Sequence, residues 1–211
     1  MKKIITVDGP AGSGKEKICK YIARKYKLYH LDSGVLYRRL AYELTKKNIK
    51  TSEENKIKNV IKKIKKLSLR KTHNLRKEQI GKVASEIAKL DFVRNFINSQ
   101  QRLVTKTPNN KKGFVIDGRD IGSVVFKKAF QKLYIDVDVN IRAKRRYKQL
   151  IDNGEKSIYL KILKDIKLRD KKDKTRKNSP LVVPRGAKII NNSHTFKKTI
   201  AQIRNIIEGI N

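Results

Sequence analysis

Apolar residues recur along this chain with two different periods, and segments of the two kinds alternate. Short runs rich in β-branched residues predict strands at 3–7 (KIITV), 114–117 (FVID), 132–138 (KLYIDVD) and 187–190 (AKII). The FVID and KLYIDVD runs have the composition of strands buried on both faces. Strands that alternate with helical segments predict an α/β fold, a parallel sheet covered on both faces.

The segments between these strands carry apolar residues three or four positions apart, which predicts amphipathic helices. Helices are expected at about 15–26, along Leu36, Leu40 and Leu44, at 53–67, in two pieces broken near Leu90-Asp91 within 83–104, at 140–152, over 155–177, and along Phe196, Ile200, Ile203 and Ile207. Two charge-rich stretches, 45–80 and 151–178, are interpreted as insertions. We therefore expect one domain over 1–211, with core segments at about 1–44, 81–150 and 179–211.

Length and composition narrow the class of protein. A chain of 211 residues can bury a substantial core, and its 38% hydrophobic residues cluster in periodic runs instead of indicating disorder. No run of about 18 apolar residues predicts a membrane span. A single cysteine, Cys19, excludes an internal disulfide and a cysteine-based metal site, and the three histidines show no ligand spacing. We expect a protein of the reducing cytoplasm.

The formal net charge of +35 has two interpretations. Lysine can simply fill most solvated positions, or the charge can serve to bind nucleic acid or another polyanion. Lysines are spread along the whole chain, whereas nucleic-acid readers concentrate charge on one face. The first interpretation is favoured, and the charge alone names no function.

The segment GPAGSGKEK (9–17) follows the first predicted strand and opens a predicted helix, the context in which a phosphate-binding loop occurs. Glycines permit a tight turn whose N–H groups face inward, and the helix N-terminus adds its dipole. Lys15 is then expected to bridge the outer phosphates of a nucleoside triphosphate. The candidate ATP-binding residues are Gly9, Pro10, Ala11, Gly12, Ser13, Gly14, Lys15, Glu16 and Lys17.

Position 16 departs from the usual loop, in which a Ser or Thr after the lysine helps to hold Mg²⁺. Repulsion between Glu16 and a triphosphate oxygen at about 4 Å costs roughly 1–4 kcal/mol across the usual effective dielectrics. A carboxylate is also a hard oxygen ligand, which makes Glu16 a candidate Mg²⁺ ligand. Two hypotheses follow: an active enzyme with an altered metal site, or a phosphate-binding protein without turnover.

Two further polar clusters come at the ends of predicted strands. DGRDIG (117–122) ends the FVID strand, and the carboxyl ends of parallel strands line the ligand crevice. Arg119 can clamp a phosphate there and Asp120 can accept from an amino group, although a surface turn with a local ion pair explains them equally well. LDSGVLYR (31–38) precedes the helix of Leu36, Leu40 and Leu44, where we expect the end of a further strand, the second in chain order. It carries the residues Asp32, Ser33, Tyr37 and Arg38.

A fourth cluster lies in the second charge-rich stretch. RDKKDKTR (169–176) spaces Arg169, Asp173 and Arg176 at i, i+4 and i+7, which places them on one face of a helix. A solvated face with internal ion pairs gives the same spacing. Spacing alone does not decide between these interpretations.

Six motifs in this order and spacing together resemble the bacterial-type cytidylate (CMP) kinases, which are P-loop nucleoside monophosphate kinases: GPAGSGK, LDSGVLYR, SEIAKLDFVR, IDGRDIGSVVF, RAKRRYKQL and RDKKDKTRKNSPL. The resemblance covers essentially the whole chain and is weakest at 45–80. It implies a P-loop kinase core with a five-stranded parallel sheet flanked by helices, an inserted NMP-binding subdomain at about 45–80 and a helical lid at about 151–178. It also implies ATP- and Mg²⁺-dependent phosphorylation of CMP and dCMP to CDP and dCDP.

The resemblance also implies which residues form the site. The implied catalytic residues are Lys15, Asp32, Arg119 and Arg169. The implied CMP-binding residues are Ser33, Tyr37, Arg38, Ser85, Arg94, Asp117, Arg119, Asp120, Arg169, Asp173 and Arg176. Among them, Arg38 and Arg119 match clamps on the CMP phosphate, and Arg169 and Asp173 match sugar contacts. Asp32 matches a carboxylate near the phosphoryl-transfer site.

Base selectivity has a physical reason in this set. Cytosine offers an amino donor, which Asp120 and Ser85 can accept, and acceptor atoms for which Arg94 and Arg176 are donors. Uracil reverses the pattern at two of these atoms, so it would leave buried polar groups unpaired. The lid carries Lys171, Lys172 and Lys174 where some members of the family have arginine, so phosphate is met there by point charges without a bidentate fork.

The sequence therefore predicts a cytoplasmic, monomeric (d)CMP kinase that binds ATP, CMP and dCMP, with no specific nucleic-acid partner and no membrane association. The alternative is a catalytically weak or inactive basic P-loop protein that holds nucleotide or RNA. A cytosine-edge set with two phosphate clamps favours the enzyme, because a polyanion binder has no need of it. Glu16 and the charge of +35 are the features that favour the alternative.

Overall fold

The computed structural model describes residues 3–209, apart from the side chain of Arg76. The chain divides into two compact units: unit 1 comprises Met1–His30 and Lys111–Asn211, and unit 2 comprises Leu31–Asn110. The expected NMP-binding insert at 45–80 belongs to unit 2 and the expected lid at 151–178 to unit 1. These two assignments stay predictions, and the ends of the expected domain, residues 1, 2, 210 and 211, lie outside the described residues.

Strands and helices alternate along the described chain. The strands are β1 (Lys3–Asp8), β2 (Tyr29–Asp32), β3 (Gly113–Gly118), β4 (Gln131–Asp136) and β5 (Lys188–Asn191). The helices are α1 (Lys15–Lys25), α2 (Ser33–Lys46), α3 (Glu54–Lys63), α4 (Glu78–Ile87), α5 (Asp91–Lys106), α6 (Val139–Asp152), α7 (Tyr159–Thr175) and α8 (Phe196–Glu208), with a 3-10 turn at His73–Arg76 and a π-helical turn at Ile121–Val125. Across residues 3–209, no helix combines the length and the apolar character needed to cross a membrane.

The five strands form one parallel sheet in the order β2-β3-β1-β4-β5. β1 lies in the centre, with Asp8 opposite Gly118 of β3 on one side and Tyr134 of β4 on the other. The carboxyl ends of β1, β3 and β4 therefore lie at one edge of the sheet, where parallel α/β folds bind their ligands. The predicted α/β class and five-stranded parallel sheet are confirmed.

Unit 1 has its hydrophobic core between this sheet and two helices. Val7 and Val115 of the central strands pack with Ile18 and Ile22 of α1, and all four are fully buried. Helix α8 adds Ile203, also fully buried, and its predicted apolar face packs there through Phe196, Ile200 and Ile207. Each fully buried aliphatic side chain contributes about 1.5–3 kcal/mol, so this core fixes α1 and the loop before it against the sheet.

Unit 2 is built on helices and has a core of its own. The predicted α2 stripe of Leu36, Leu40 and Leu44 is fully buried, and it packs with Ile87 of α4 and Ile97 of α5. The predicted break near Leu90-Asp91 is confirmed, because α4 ends at Ile87 and α5 begins at Asp91. Asp91 suits its place in the first turn of α5, where the helix dipole favours a negative charge.

The helix predicted at 53–67 is shorter, since α3 covers only Glu54–Lys63. Ile64 is extended, and Leu67 is buried in the core of unit 2. Gln100 of α5 replaces the lost helical hydrogen bonds, because its side chain accepts from Leu67 N at 2.9 Å and donates to Lys65 O at 3.2 Å. A tertiary contact has here overridden the helical pattern.

Three other predicted boundaries need correction. The strand predicted to reach 138 ends at Asp136, because Asp138 caps α6 by accepting hydrogen bonds from Asn140 N and Ile141 N. The helix predicted over 155–177 is Tyr159–Thr175, and the strand predicted at 187–190 is Lys188–Asn191. Such shifts at element ends depend on local caps and turns.

Candidate active site

The P-loop follows β1 as a tight turn into α1. Gly14 precedes the helix in the left-handed region, at φ 83°, and a Cβ there would lie 2.7 Å from Asn192 Nδ2. Asn192 fixes the loop, because Nδ2 donates to Ser13 O at 2.8 Å and Oδ1 accepts from Thr199 at 2.7 Å. A glycine is therefore needed at position 14 both for its conformation and for its closeness to Asn192.

Lys15 is 6% exposed and folds back onto the loop. Its ammonium donates to Gly9 O at 2.8 Å, Pro10 O at 2.7 Å and Ser13 Oγ at 3.1 Å. Burial, and next the charge of Arg119, hold the pKa of Lys15 well below its usual range, while Asp117, Asp8 and Cys19 act in the opposite direction. An incoming phosphate would supply the anion that this buried amine needs to stay charged.

Asp8, which sequence reasoning did not single out, joins the P-loop strand to the segment after β3. It is fully buried and accepts hydrogen bonds from Ile121 N at 2.8 Å and Gly122 N at 2.7 Å. Burial raises the pKa of Asp8 to about 6, although both hydrogen bonds act to lower it. The position immediately before the glycine-rich loop was the signal that could have identified it.

Arg142, also missed, joins α6, the P-loop and α7. Its guanidinium donates to Val137 O at 3.1 Å, to Ala11 O at 3.0 Å and to Asp170 at 2.6 Å. The arginine is 4% exposed, so these bonds are shielded from water. It lies in the motif RAKRRYKQL, which carried the resemblance but gave no role for it.

The predicted cluster on α7 forms a bridge of charges around Asp173. Asp173 accepts from Arg119 Nε at 3.0 Å and from Arg176 Nη1 at 3.3 Å. Arg169 is exposed on the same helix. The expectation of three residues on one helical face is wrong for Arg176, because α7 ends at Thr175 and Arg176 is extended.

Asp117 and Asp120, at the end of β3, are both buried, at 7% and 5% exposure. Asp117 Oδ1 lies 2.9 Å from His30 Nε2 of β2. Asp120 begins the π-helical turn, where its carbonyl accepts from Val124 N at 2.9 Å and Val125 N at 3.2 Å. These carboxylates and Arg119 lie at the P-loop edge of the sheet in unit 1.

Glu16 lies in the first turn of α1, where a negative charge suits the helix dipole. Its carboxylate forms an ion pair of 2.8 Å with Lys20, one turn along the helix, and its side chain is 48% exposed. The ammonium of Lys17 lies 4.1 Å from the centre of the Phe196 ring. Lys20 thus offsets part of the negative charge that Glu16 brings to the loop.

In unit 2, the predicted carboxylate Asp32 ends β2 and begins α2. It forms an ion pair of 2.8 Å with Lys71, from the non-helical stretch after α3, while the neighbouring Ser33 is buried. This ion pair places Lys71 against the predicted site carboxylate.

Two predicted arginines of unit 2 are held by backbone carbonyls. Arg38 of α2 donates to Leu75 O at 2.7 Å, and a Cβ on Gly81 of α4 would lie 3.1 Å from its guanidinium. Arg94 of α5 is 4% exposed and donates to Ala88 O at 2.8 Å. Its guanidinium carbon lies 5.9 Å from the centre of the ring of Tyr37, and Ser85 is half-buried on α4.

Solved structures with similar architecture define the class of fold. A shikimate kinase from Bacteroides thetaiotaomicron is similar with a TM-score of 0.52 and 11% sequence identity, over 99% of each chain. An uncharacterized protein from Eubacterium ventriosum gives a TM-score of 0.53 and 17% identity, also over 99% of each chain. At these identities the likeness concerns the fold alone, and that fold is the α/β P-loop kinase fold.

Sequence similarity identifies the family within this class. A family model described as cytidylate kinase matches residues 5–210. A cytidylate kinase of Bartonella bacilliformis is 39% identical over 90% of this chain and 86% of its own length. One of Bartonella tribocorum is 39% identical over 98% of this chain and 95% of its own length. That of Rickettsia rickettsii is 38% identical over 97% of this chain and 91% of its own length. The chain belongs to the cytidylate kinase family, which confirms the predicted family and the kinase class.

Proposed function

We propose that this protein transfers the γ-phosphoryl group of ATP to CMP and dCMP, giving CDP and dCDP. One observation carries the proposal in unit 1: the P-loop lysine Lys15 and the arginine Arg119 both follow strands that end side by side at one edge of the sheet. Phosphoryl transfer consists mainly of positioning two polyanions and cancelling their charge. Two adjacent buried or half-buried cations suit that task.

The donor is assigned to the P-loop. The backbone N–H groups of residues 9–15 and the N-terminus of α1 would receive the ATP phosphates, with Lys15 released from the loop carbonyls onto phosphate oxygen. Arg142 holds the loop carbonyl of Ala11, which positions the loop without contact with the phosphates. Protein groups thus supply charge and orientation, and the acceptor phosphate oxygen is already an anionic nucleophile that needs no strong base.

Acceptor binding is assigned to residues in each unit. In unit 1, Arg119 is proposed to clamp the CMP phosphate, Asp120 with Arg176 to read the base, and Arg169 with Asp173 to contact the sugar. Asp117 is assigned to the same set. In unit 2, the proposed acceptor residues are Ser33, Tyr37, Arg38, Ser85 and Arg94, and Asp32 is the proposed carboxylate of the transfer step. Buried donors and acceptors discriminate strongly against a base that leaves them unpaired, which supports cytosine over uracil.

Mg²⁺ is proposed as the cofactor, and Glu16 is the protein group that fits it best. Its carboxylate follows Lys15 directly, is partly exposed, and is the oxygen donor type that Mg²⁺ prefers. When bound, Mg²⁺ supplies charge neutralisation at the phosphate oxygens. The residues around it would orient the phosphates. Binding of the ion by Glu16 would weaken the ion pair between Glu16 and Lys20.

We further propose action in the cytoplasm as a monomer, because one chain supplies every site residue assigned here. Neither a specific nucleic-acid partner nor a membrane is needed for this function. The alternative of an inactive basic P-loop protein is not favoured, since the chain belongs to a kinase family. Glu16 and the charge of +35 are the features of the sequence that favour that alternative.

The test of this function is transfer itself. ATP labelled in its γ-phosphate is incubated with Mg²⁺ and CMP, and labelled CDP is the expected product. Labelled inorganic phosphate without CDP would contradict the proposal. A salt series distinguishes the kinase from the RNA-binding alternative. RNA affinity that is carried by many phosphate contacts falls steeply as salt rises, whereas CDP formation by a kinase does not follow that slope.

A further inference from the structure

A cluster of three potential metal ligands lies in unit 1 beneath the P-loop helix. Cys19 of α1, His30 of β2 and Asp117 of β3 each offer one ligand atom, and these atoms all lie within 4.8 Å of one another. Cys19 is fully buried, and the side chains of His30 and Asp117 are only 13% and 10% exposed. The three come from different elements, so the fold, not local spacing, brings them together.

We propose that Cys19, His30 and Asp117 form a binding site for a thiophilic divalent cation of the Zn²⁺ type. Thiolate, imidazole and carboxylate are the three ligand types that Zn²⁺ takes in proteins, at about 2.3, 2.0–2.1 and 2.0–2.2 Å. His30 Nε2 and Asp117 Oδ1 lie 2.9 Å apart as a hydrogen-bonded pair. Around a tetrahedral ion these two atoms would separate to about 3.3 Å and the Cys19 sulfur would approach them, which leaves one position open.

The three ligand types favour softer metal ions over hard ones. Mg²⁺ prefers an all-oxygen shell and does not favour sulfur or imidazole, whereas Zn²⁺ and Co²⁺ accept both. This site is therefore distinct in chemistry from the oxygen site proposed for the catalytic Mg²⁺ at Glu16. The sequence excluded a cysteine-based metal site, because the chain has one cysteine and its histidines lack ligand spacing. The proposed site revises that expectation, since the fold brings together ligands that are distant along the chain.

Two positively charged side chains near the cluster are directed to other partners, which reduces their repulsion of a bound cation. Lys15 is the nearby amine, but its ammonium donates to Gly9 O, Pro10 O and Ser13 Oγ, so it is directed to the loop. Arg119 is directed to Asp173. Thiolate and carboxylate together bring two negative charges to the ion.

Occupancy of this site has a consequence for the kinase. Asp117 belongs to the proposed acceptor set, so a bound Zn²⁺ removes it from that role. Zn²⁺ is therefore expected to inhibit the enzyme reversibly. This consequence rests on the proposed function, whereas binding itself does not.

Co²⁺ titration followed by absorption tests binding without any assay of activity. Because Cys19 is the single cysteine of the chain, a thiolate-to-cobalt charge-transfer band in the wild-type protein assigns it as a ligand. One equivalent of Co²⁺ is expected to saturate the band, and Zn²⁺ to displace it. Absence of the band, or a band that appears only with the unfolded protein, would overturn the proposal.

Variants assign the other ligands. His30→Asn is expected to weaken Co²⁺ binding at least tenfold, while the matched control His194→Asn, in an exposed position, leaves it unchanged. Cys19→Ser is expected to abolish the band. Should that variant fold poorly, cadmium NMR of the wild-type protein reports sulfur and nitrogen ligation directly. Equal affinity in His30→Asn and His194→Asn, or an oxygen-only cadmium shift, would sink the site even if the kinase is active.

Discussion

Arg119 Nε donates a hydrogen bond of 3.0 Å to Asp173 Oδ2, so the proposed phosphate clamp is held by a carboxylate of α7. Arg176 bonds the other oxygen of the same carboxylate at 3.3 Å. Asp173→Asn is expected to lower kcat/KM for CMP by about 10- to 100-fold, because a charge-assisted hydrogen bond contributes about 1.5–3 kcal/mol and two arginines lose their orientation. Steady-state kinetics with CMP and ATP varied separately measure it.

The matched control is Asp165→Asn, an exposed aspartate of the same helix, for which we expect unchanged kinetics. The loss at Asp173 should appear with CMP varied and leave KM for ATP unchanged. Equal effects of the two variants would show that helix charge alone, not the contact with Arg119, is responsible.

Arg142→Lys is expected to weaken ATP use, because lysine keeps the charge but cannot bond Val137 O, Ala11 O and Asp170 together. Loss of buried charge-assisted hydrogen bonds is expected to cost about 2–3 kcal/mol of unfolding free energy. KM for ATP should rise about tenfold as the loop loosens. Denaturant unfolding and ATP kinetics measure both, with the exposed Arg146→Lys on the same helix as control; stability and KM unchanged from wild type would contradict the role assigned to Arg142.

The buried carboxyl of Asp8 makes stability depend on pH. Its pKa is raised by burial to about 6 in the folded protein from an ordinary 3.8, so the folded state binds the proton more tightly. The contribution of this group to stability is therefore fully present below about pH 4 and is lost as the pH rises through about 6, by about 3 kcal/mol in all.

Asp8→Asn removes that titration. The difference in unfolding free energy between wild type and variant should fall between pH 4 and pH 7, and carboxyl carbon NMR of the wild-type protein should show a titration near pH 6. A difference that stays flat over this range, together with an ordinary carboxyl titration near pH 4, would refute the assignment.

Glu16 is expected to perturb ATP use without abolishing it. Glu16→Ser restores the usual hydroxyl and removes repulsion from phosphate, so KM for ATP should fall by up to about tenfold and the Mg²⁺ dependence should shift. Lys20→Met is the paired variant, because it breaks the same 2.8 Å ion pair but leaves the carboxylate, and it should raise KM for ATP. Unchanged ATP kinetics and Mg²⁺ dependence in Glu16→Ser would refute the hypothesis.

Periodicity was sufficient for the α/β class because burial is periodic, whereas the five-stranded sheet was implied by the family resemblance. The α2 stripe of Leu36, Leu40 and Leu44 and the strand pattern around Val7 are both buried as predicted. Boundaries failed where a side chain far along the chain decided them. Gln100 ends α3 through Leu67 and Lys65, and no pattern within 53–67 contains that information.

For the candidate site, motifs identified residues that stand next to the glycine-rich loop and the strand ends. They missed Asp8, Arg142 and His30, whose roles depend on partners more than 80 residues away along the chain, such as Ile121 for Asp8, Ala11 for Arg142 and Asp117 for His30. The position of Asp8 before the glycine-rich loop could have marked it as a candidate, but the long-range hydrogen bonds themselves have no signature in a single sequence. Proximity in the fold supplied them.

The most direct test of the central claim is acceptor selectivity. ADP formation from ATP and Mg²⁺ is measured in a coupled assay with CMP, dCMP, UMP and AMP offered separately. We predict kcat/KM values for CMP and dCMP at least tenfold above those for UMP and AMP, because the buried donors and acceptors match cytosine. No ADP with any acceptor, despite measurable binding of ATP or CMP, or a preference for AMP, would contradict the account.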